Sequence, residues 1–395
     1  MKLQAAQAPD LAPALRVSGV PWLLLAIFCL PLVIFRAFLF SLWLPQGDFI
    51  TYWAAGHLFL THADPFSPAA TFVIEKSYGW TLPRPYVTFC PPWALPIMSV
   101  MALLPFQAAH SLWLALSLVL NALSALGLWA YFGGERRKAW IAILLCLTFL
   151  PMGGAEINGQ ITPLILFTLT AFLWLIRREQ YFAAGFILIG VGPKPHLLFL
   201  VALAILFWTL QKGAWQSRWT LLLGSFISYS AATAFAVLYN PASLGYLHKT
   251  YGAAMDISCG IGGALRIVFG VEHLWLQFLP SAIGVAWFLF YWSKHRHHWD
   301  WQQHLPLLLI VSVCTSPYCW YHDFILILPA IVALAVQEAY RSAAILAGYL
   351  LIQAIIIVTV QWSVAWMCVF SLLWIALYLL AQREHSGSTT DFQLR

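Results

Sequence analysis

Long apolar runs alternate with short polar interruptions along almost the whole chain. A helix that crosses a bilayer needs about 20 largely apolar residues and must satisfy its backbone within itself. Read that way, the pattern predicts spans at 20–44, 107–132, 139–153, 161–176, 181–193, 197–210, 218–238, 274–292, 305–318, 324–337, 342–360 and 363–380. Residues 45–90 interrupt it with Asp48, Asp64, Glu75, Lys76, Arg84, several prolines and many aromatics, which predicts an aqueous loop carrying amphipathic interface helices. Residues 91–105 (PPWALPIMSVMALLP) are apolar but short and bounded by proline, as a re-entrant or interfacial segment would be. The expected fold is therefore an all-α polytopic membrane protein with about twelve spans. Tails at 1–18 and 382–395 flank a transmembrane domain over 19–381, with large loops at about 45–105 and 239–273.

Composition strengthens this picture. Hydrophobic residues make up 62% of the 395 positions and charged residues 9%, against about 25% charged in soluble domains. The first apolar run follows Arg16 without a small-residue cleavage site, so it reads as a retained span. The net charge of +6 comes from short basic clusters between the runs, which are topology signals rather than a nucleic-acid patch. With the N-terminus inside, the inner segments hold fourteen Lys and Arg, among them Arg136, Arg137, Lys138, Arg177 and Arg178, and the outer segments hold five. That bias predicts cytoplasmic ends and external loops at 45–105 and 239–273. Seven cysteines without a CxxC pair argue against a zinc site or a disulfide framework, and leave at most one bridge among Cys90, Cys259 and Cys319.

The same topology sorts the unusual polar residues. Asp48, Asp64, Glu75, Glu156, Asp256, Glu272 and Asp323 fall on the outer side, as do Lys194, His196, Arg266 and His322. Charges near membrane depth are costly and point to function. Asp48 precedes an apolar stretch (DFITYW), where it is either a helix N-cap or a working carboxylate, with Tyr52 one turn later. Lys194 lies between Pro193 and Pro195, where two half-length helices break, so it either snorkels to the interface or meets a phosphate. His322 and Asp323 follow Ser316-Pro317; neighbours on a helix do not face each other, so they form no dyad by spacing. Glu156, Asn158 and Gln160 make a polar loop able to meet sugar hydroxyls, or merely to turn. The histidines at 295, 297 and 298 are basic topology signals in this reading, and no metal or cofactor is expected.

Taken in order, GDFITYW, HADPFSP, YVTFCPP, NGQITPLIL, AAGFILIGVGPKPHLLFL and SPYCWYHDFILILP resemble glycosyltransferase family 87 over roughly residues 45–330. The resemblance implies a GT-C fold, a polyprenyl-phosphate sugar donor, a mannose-like hexose and an inverting transfer to a lipid or glycan acceptor. It places the enzyme in a plasma membrane, the bacterial inner membrane, with its site facing outward among membrane lipids. It implies Asp48 as catalytic base, puts Lys194 on the family's lysine, and puts His322 on its histidine, a second catalytic residue that assists at the acceptor or phosphate. Tyr52, Glu156, Gln160, His196, Asp323 and Arg266 are the expected substrate-binding set around them. A transporter or flippase of a lipid-linked or anionic substrate is the alternative, since broken helices and charges at membrane depth serve both; no internal repeat supports it.

Overall fold

The computed structural model describes residues 47–246, 257–258, 260–338, 342–359 and 369–393. The expected first span, Arg36, Lys249, Asp256 and Cys259 lie outside the described residues, as does the start of the last span at 363–368. Among the described residues all regular structure is helical.

Chain order begins with α1 (Phe49–Leu60), α2 (Pro68–Ser77) and α3 (Leu95–Met101). Then come α4 (Phe106–Tyr131), α5 (Trp140–Thr148), α6 (Leu150–Ile157), α7 (Thr162–Arg177) and α8 (Tyr181–Ile187). They are followed by α9 (Phe199–Thr209), α10 (Trp215–Tyr239), α11 (Ile261–Phe269), α12 (Trp275–His295) and α13 (Trp301–Cys314). The chain ends with α14 (Leu328–Val336), α15 (Ala343–Thr359) and α16 (Val369–Gln393).

Three helical stretches, Phe106–Tyr131, Trp215–Tyr239 and Trp275–His298, are long and apolar enough to cross a membrane alone. The 26 residues of α4 extend about 39 Å at 1.5 Å per residue, beyond the roughly 30 Å of a hydrocarbon core. Residues 136–157 qualify as a fourth only as a pair bent by 57°, broken where Phe149 leaves helical geometry ahead of Pro151. Among the described residues the other expected spans are apolar helices of 10–17 residues, including Thr162–Arg177, Trp301–Cys314 and Tyr321–Val336. Proline explains much of this shortening: Pro193, Pro195 and Pro317 stand at the breaks.

One expectation fails outright. α1 is not an amphipathic helix lying on the interface: ten of its twelve residues are buried. Phe49, Ile50, Tyr52, Trp53, Ala54, Ala55, Leu58 and Phe59 leave it no polar face, and a helix apolar all round is driven inside. It lies against α3, and Trp53 Nε1 donates to Leu104 O just beyond that helix at 3.0 Å.

α8 and α10 approach backbone to backbone. A Cβ on Gly185 would fall 1.8 Å from Leu221 O, and one on Gly224 would fall 2.2 Å from Phe182 O. Lipid offers no hydrophobic drive between helices, so small residues that permit close contact supply the association. The contact matters to the break that follows. Tyr229 Oη on α10 donates to Leu188 O at 2.9 Å, and Trp93 Nε1 donates to Gly192 O at 2.9 Å, so these carbonyls at the break are satisfied. Gly185→Val is expected to destabilise the protein by ~1–3 kcal/mol through overpacking. A fall in the thermal unfolding midpoint in detergent checks it, with Phe186→Ala at the exposed neighbouring position as the near-neutral control.

Between α4 and α5, Lys138 Nζ contacts the Glu135 and Glu338 carboxylates at 2.7 Å each. At the end of α7, Arg177 donates to Tyr131 O at 3.2 Å, and Gln211 donates to Arg296 O at 2.6 Å. These contacts join segments that the charge pattern assigns to one side.

Candidate active site

Several polar residues from distant elements meet at a cavity of about 370 Å³. Its lining includes Asp48, Tyr52, Tyr86, Gln160, Lys194 and His196. The loop after α6 builds one wall. Gly159 takes φ +60°, a left-handed conformation that a side chain would strain, and a Cβ there would also fall 2.5 Å from Phe49 Cβ. That close approach lets Asn158 O accept from Phe49 N at 3.2 Å, tying the loop to the start of α1. Trp113 Nε1 holds the next carbonyls, Gly159 O at 3.1 Å and Gln160 O at 3.3 Å.

Asp48 stands at the N-cap of α1 with helical backbone angles, and its side chain makes no capping hydrogen bond. Its carbonyl closes the first turn instead, accepting from Thr51 Oγ1 at 2.8 Å. The carboxylate is left to the cavity. Burial pushes its pKa up to about 6, while the Lys194 charge and a hydrogen bond from the Tyr86 hydroxyl pull it back.

Gln160 is the hub of the opposite wall. Its Oε1 accepts from Tyr52 Oη at 3.0 Å and from Lys194 Nζ at 2.8 Å. Lys194 Nζ also donates to Asp323 Oδ1 at 2.7 Å. Asp323 is fully buried, and its other oxygen accepts from Trp320 N at 2.9 Å. The lysine side chain keeps 11% of its surface exposed and faces the cavity. An ammonium has three N–H donors, and these contacts use two. His322 lies between the carboxylates, with Nε2 3.9 Å from Asp48 Oδ2 and 3.9 Å from Asp323 Oδ1. Among the described residues neither of its buried ring nitrogens has a hydrogen-bond partner.

Of the residues expected from the sequence, Asp48, Tyr52, Gln160, Lys194 and His196 line the cavity. His322 and Asp323 stand directly behind them. Glu156 points elsewhere and accepts from Asn121 Nδ2 at 2.8 Å. Arg266 is buried on α11 outside the cavity lining and donates to Gln277, which lines it. Cys90 carries a free thiol, so it takes no part in the one bridge the sequence left possible. Among the described residues no group of three His, Cys, Asp or Glu side chains is arranged to share an ion.

The sequence reading missed Tyr86 and Gln277. Tyr86 belongs to an irregular strap, residues 80–91, that passes along the cavity. Glu75 on α2 anchors the strap: both its oxygens accept from Tyr86 N at 3.1 Å, and burial pushes its pKa up to about 7. Trp80 Nε1 donates to Arg84 O at 3.0 Å and adds a second tie. YVTFCPP, a Pro-ended segment without helical periodicity, was the available signal that this stretch is an irregular strap.

The family model for glycosyltransferase family 87 matches residues 89–317, more than half of the chain. The matched stretch holds Gln160, Lys194, His196, Arg266 and Gln277; Asp48, His322 and Asp323 lie outside it. No curated protein and no solved structure matches the chain.

Proposed function

Because the chain belongs to glycosyltransferase family 87 and is thus a membrane glycosyltransferase, we propose that it moves a hexose, mannose by resemblance, from a polyprenyl phosphate to a lipid or glycan acceptor on the outer face of the membrane. One observation carries this reading: a cavity among apolar helices with the Asp48 carboxylate on one wall and the Lys194 ammonium on another. A lipid-linked donor has to be met within the bilayer, where its chain stays in the hydrocarbon and its phosphate meets a fixed cation.

In the proposed reaction the acceptor hydroxyl attacks the anomeric carbon as the bond from that carbon to the phosphate oxygen breaks. The hydroxyl proton passes to Asp48, and the leaving polyprenyl phosphate takes the bonding electron pair. Lys194, held by Gln160 and Asp323, offers its remaining N–H to that developing charge. The displacement is single and inverts the anomeric centre. In this scheme His322 acts on Asp48 from behind rather than meeting substrate, and Tyr52 and His196, which line the cavity, contact the sugar.

The purified protein in lipid, given labelled polyprenyl-phosphate mannose and a membrane lipid extract, is expected to form a labelled glycolipid or glycan and release polyprenyl phosphate. Transfer from a nucleotide sugar but from no lipid-linked donor would overturn the donor class. Movement of an intact lipid-linked sugar across a vesicle membrane, without transfer, would favour the transporter.

A pH profile gives an independent check. Asp48 must be ionised to accept a proton, and its pKa lies at about 6. kcat/KM is therefore expected to be level above about pH 6 and to fall about tenfold per unit below it. A rate unchanged down to about pH 4.5 would remove Asp48 as the base.

A further inference from the structure

Gln277 lies in the first turn of α12 and lines the cavity, although only 1% of its surface is exposed. An amide side chain can present either its oxygen or its nitrogen, and its hydrogen-bond partners fix which. Here chemistry decides. Arg266 Nη1 donates to Gln277 Oε1, and a guanidinium has no acceptor to offer, so the oxygen end must face Arg266. The NH₂ end is the one left for the cavity, and no described residue accepts from it.

Arg266 is itself held in place. Its Nε and Nη2 both donate to Val271 O, at 2.9 and 2.6 Å, across the turn that joins α11 to α12. The two helices meet closely, since a Cβ on Gly262 would fall 2.5 Å from Gln277 O. The guanidinium is not part of the cavity lining, but its charge polarises the amide it binds, and hydrogen bonds in series strengthen one another at low dielectric. A polarised N–H donor prefers an anionic oxygen to a neutral hydroxyl.

We propose that Gln277 is a substrate-binding residue that donates to a phosphate oxygen of the lipid-linked donor, with Arg266 as the positioning residue behind it. The assignment rests on the lipid-phosphate donor argued above. It divides phosphate recognition between a direct cation, Lys194, and a cation acting through an amide.

The informative variant is Gln277→Glu. It keeps the size and gives Arg266 a carboxylate partner, so the fold is retained, but it replaces the donating NH₂ with an oxygen. Polyprenyl phosphate, the released product, serves as a competitive inhibitor and probes the phosphate contact without the sugar. In Gln277→Glu its Ki and the donor KM are both expected to rise about tenfold or more, with the acceptor KM unchanged. Arg266→Gln is expected to raise the same two constants, and Arg266→Lys to recover part of the loss. Gln277→Met, which brings in no charge, should raise Ki in the same direction and covers the case where Gln277→Glu does not fold. An unchanged Ki in both Gln277 variants overturns the proposal, whether or not another constant moves. The reference is wild-type transfer from polyprenyl-phosphate mannose. A wild-type chain that is inhibited by polyprenyl phosphate but uses another sugar overturns the sugar assignment alone; one that polyprenyl phosphate does not inhibit at all overturns the donor class and the Gln277 contact together.

Discussion

Asp48→Asn is expected to leave a folded protein that binds its donor and transfers sugar ~10²–10⁴-fold more slowly, the range over which positioned acid–base groups act. The substitution keeps the shape of the side chain and removes its basicity. It should not unfold the chain, because the carboxylate makes no capping bond and α1 is closed by the Asp48 carbonyl, a backbone group that any residue supplies. Burial of α1 and its contact with α3 hold the helix in place without that side chain. Single-turnover transfer, measured beside donor binding and thermal unfolding, separates the two roles. Full transfer in Asp48→Asn, with unfolding in Asp48→Ala, would make the residue a structural cap.

Lys194→Ala is expected to do two things at once. Removing the ammonium takes away the cation facing the cavity, and it also leaves Asp323 as a fully buried carboxylate without its partner. Breaking a buried pair from one side destabilises by ~3–5 kcal/mol. The sequence offered a lysine that either snorkels or meets a phosphate; the ion pair with Asp323 adds a folding cost. The double variant Lys194→Ala/Asp323→Asn separates these effects. It leaves no unpaired charge at position 323 and should recover most of the unfolding midpoint, while the amide introduced in place of Asp323 can still accept from Trp320 N. Donor binding should stay lost. If the double variant recovers binding along with stability, Lys194 is a structural partner of Asp323 and another group meets the phosphate.

Gln160 shows how much of this site a linear reading could reach. The polar loop was visible as a candidate sugar-facing element because AEINGQ interrupts two apolar runs. Its actual use is different in kind: Gln160 joins Tyr52, 108 residues earlier, to Lys194, 34 residues later. Glu156, near the end of α6, faces Asn121 and takes no part in the cavity. Which residue of such a loop serves the site depends on the rotation of α6 and the left-handed turn at Gly159, and neither has a local signature beyond the glycine itself.

That the chain is a helical membrane protein, roughly where its longer described helices lie, and that Lys194 sits at a break could all be read from the residues in order. Those features follow from composition and proline chemistry, which act locally: lipid demands internally bonded apolar helices, and proline cannot donate to one. The burial of α1, the hold of Asp323 on Lys194 from 129 residues away, and the reach of Arg266 through Gln277 emerge only when the helices pack. The reason is that an apolar helix has no single preferred face. When every side presents Leu, Phe or Trp, its rotation is fixed by close contacts with its neighbours, and the few polar side chains it carries point wherever those contacts leave them.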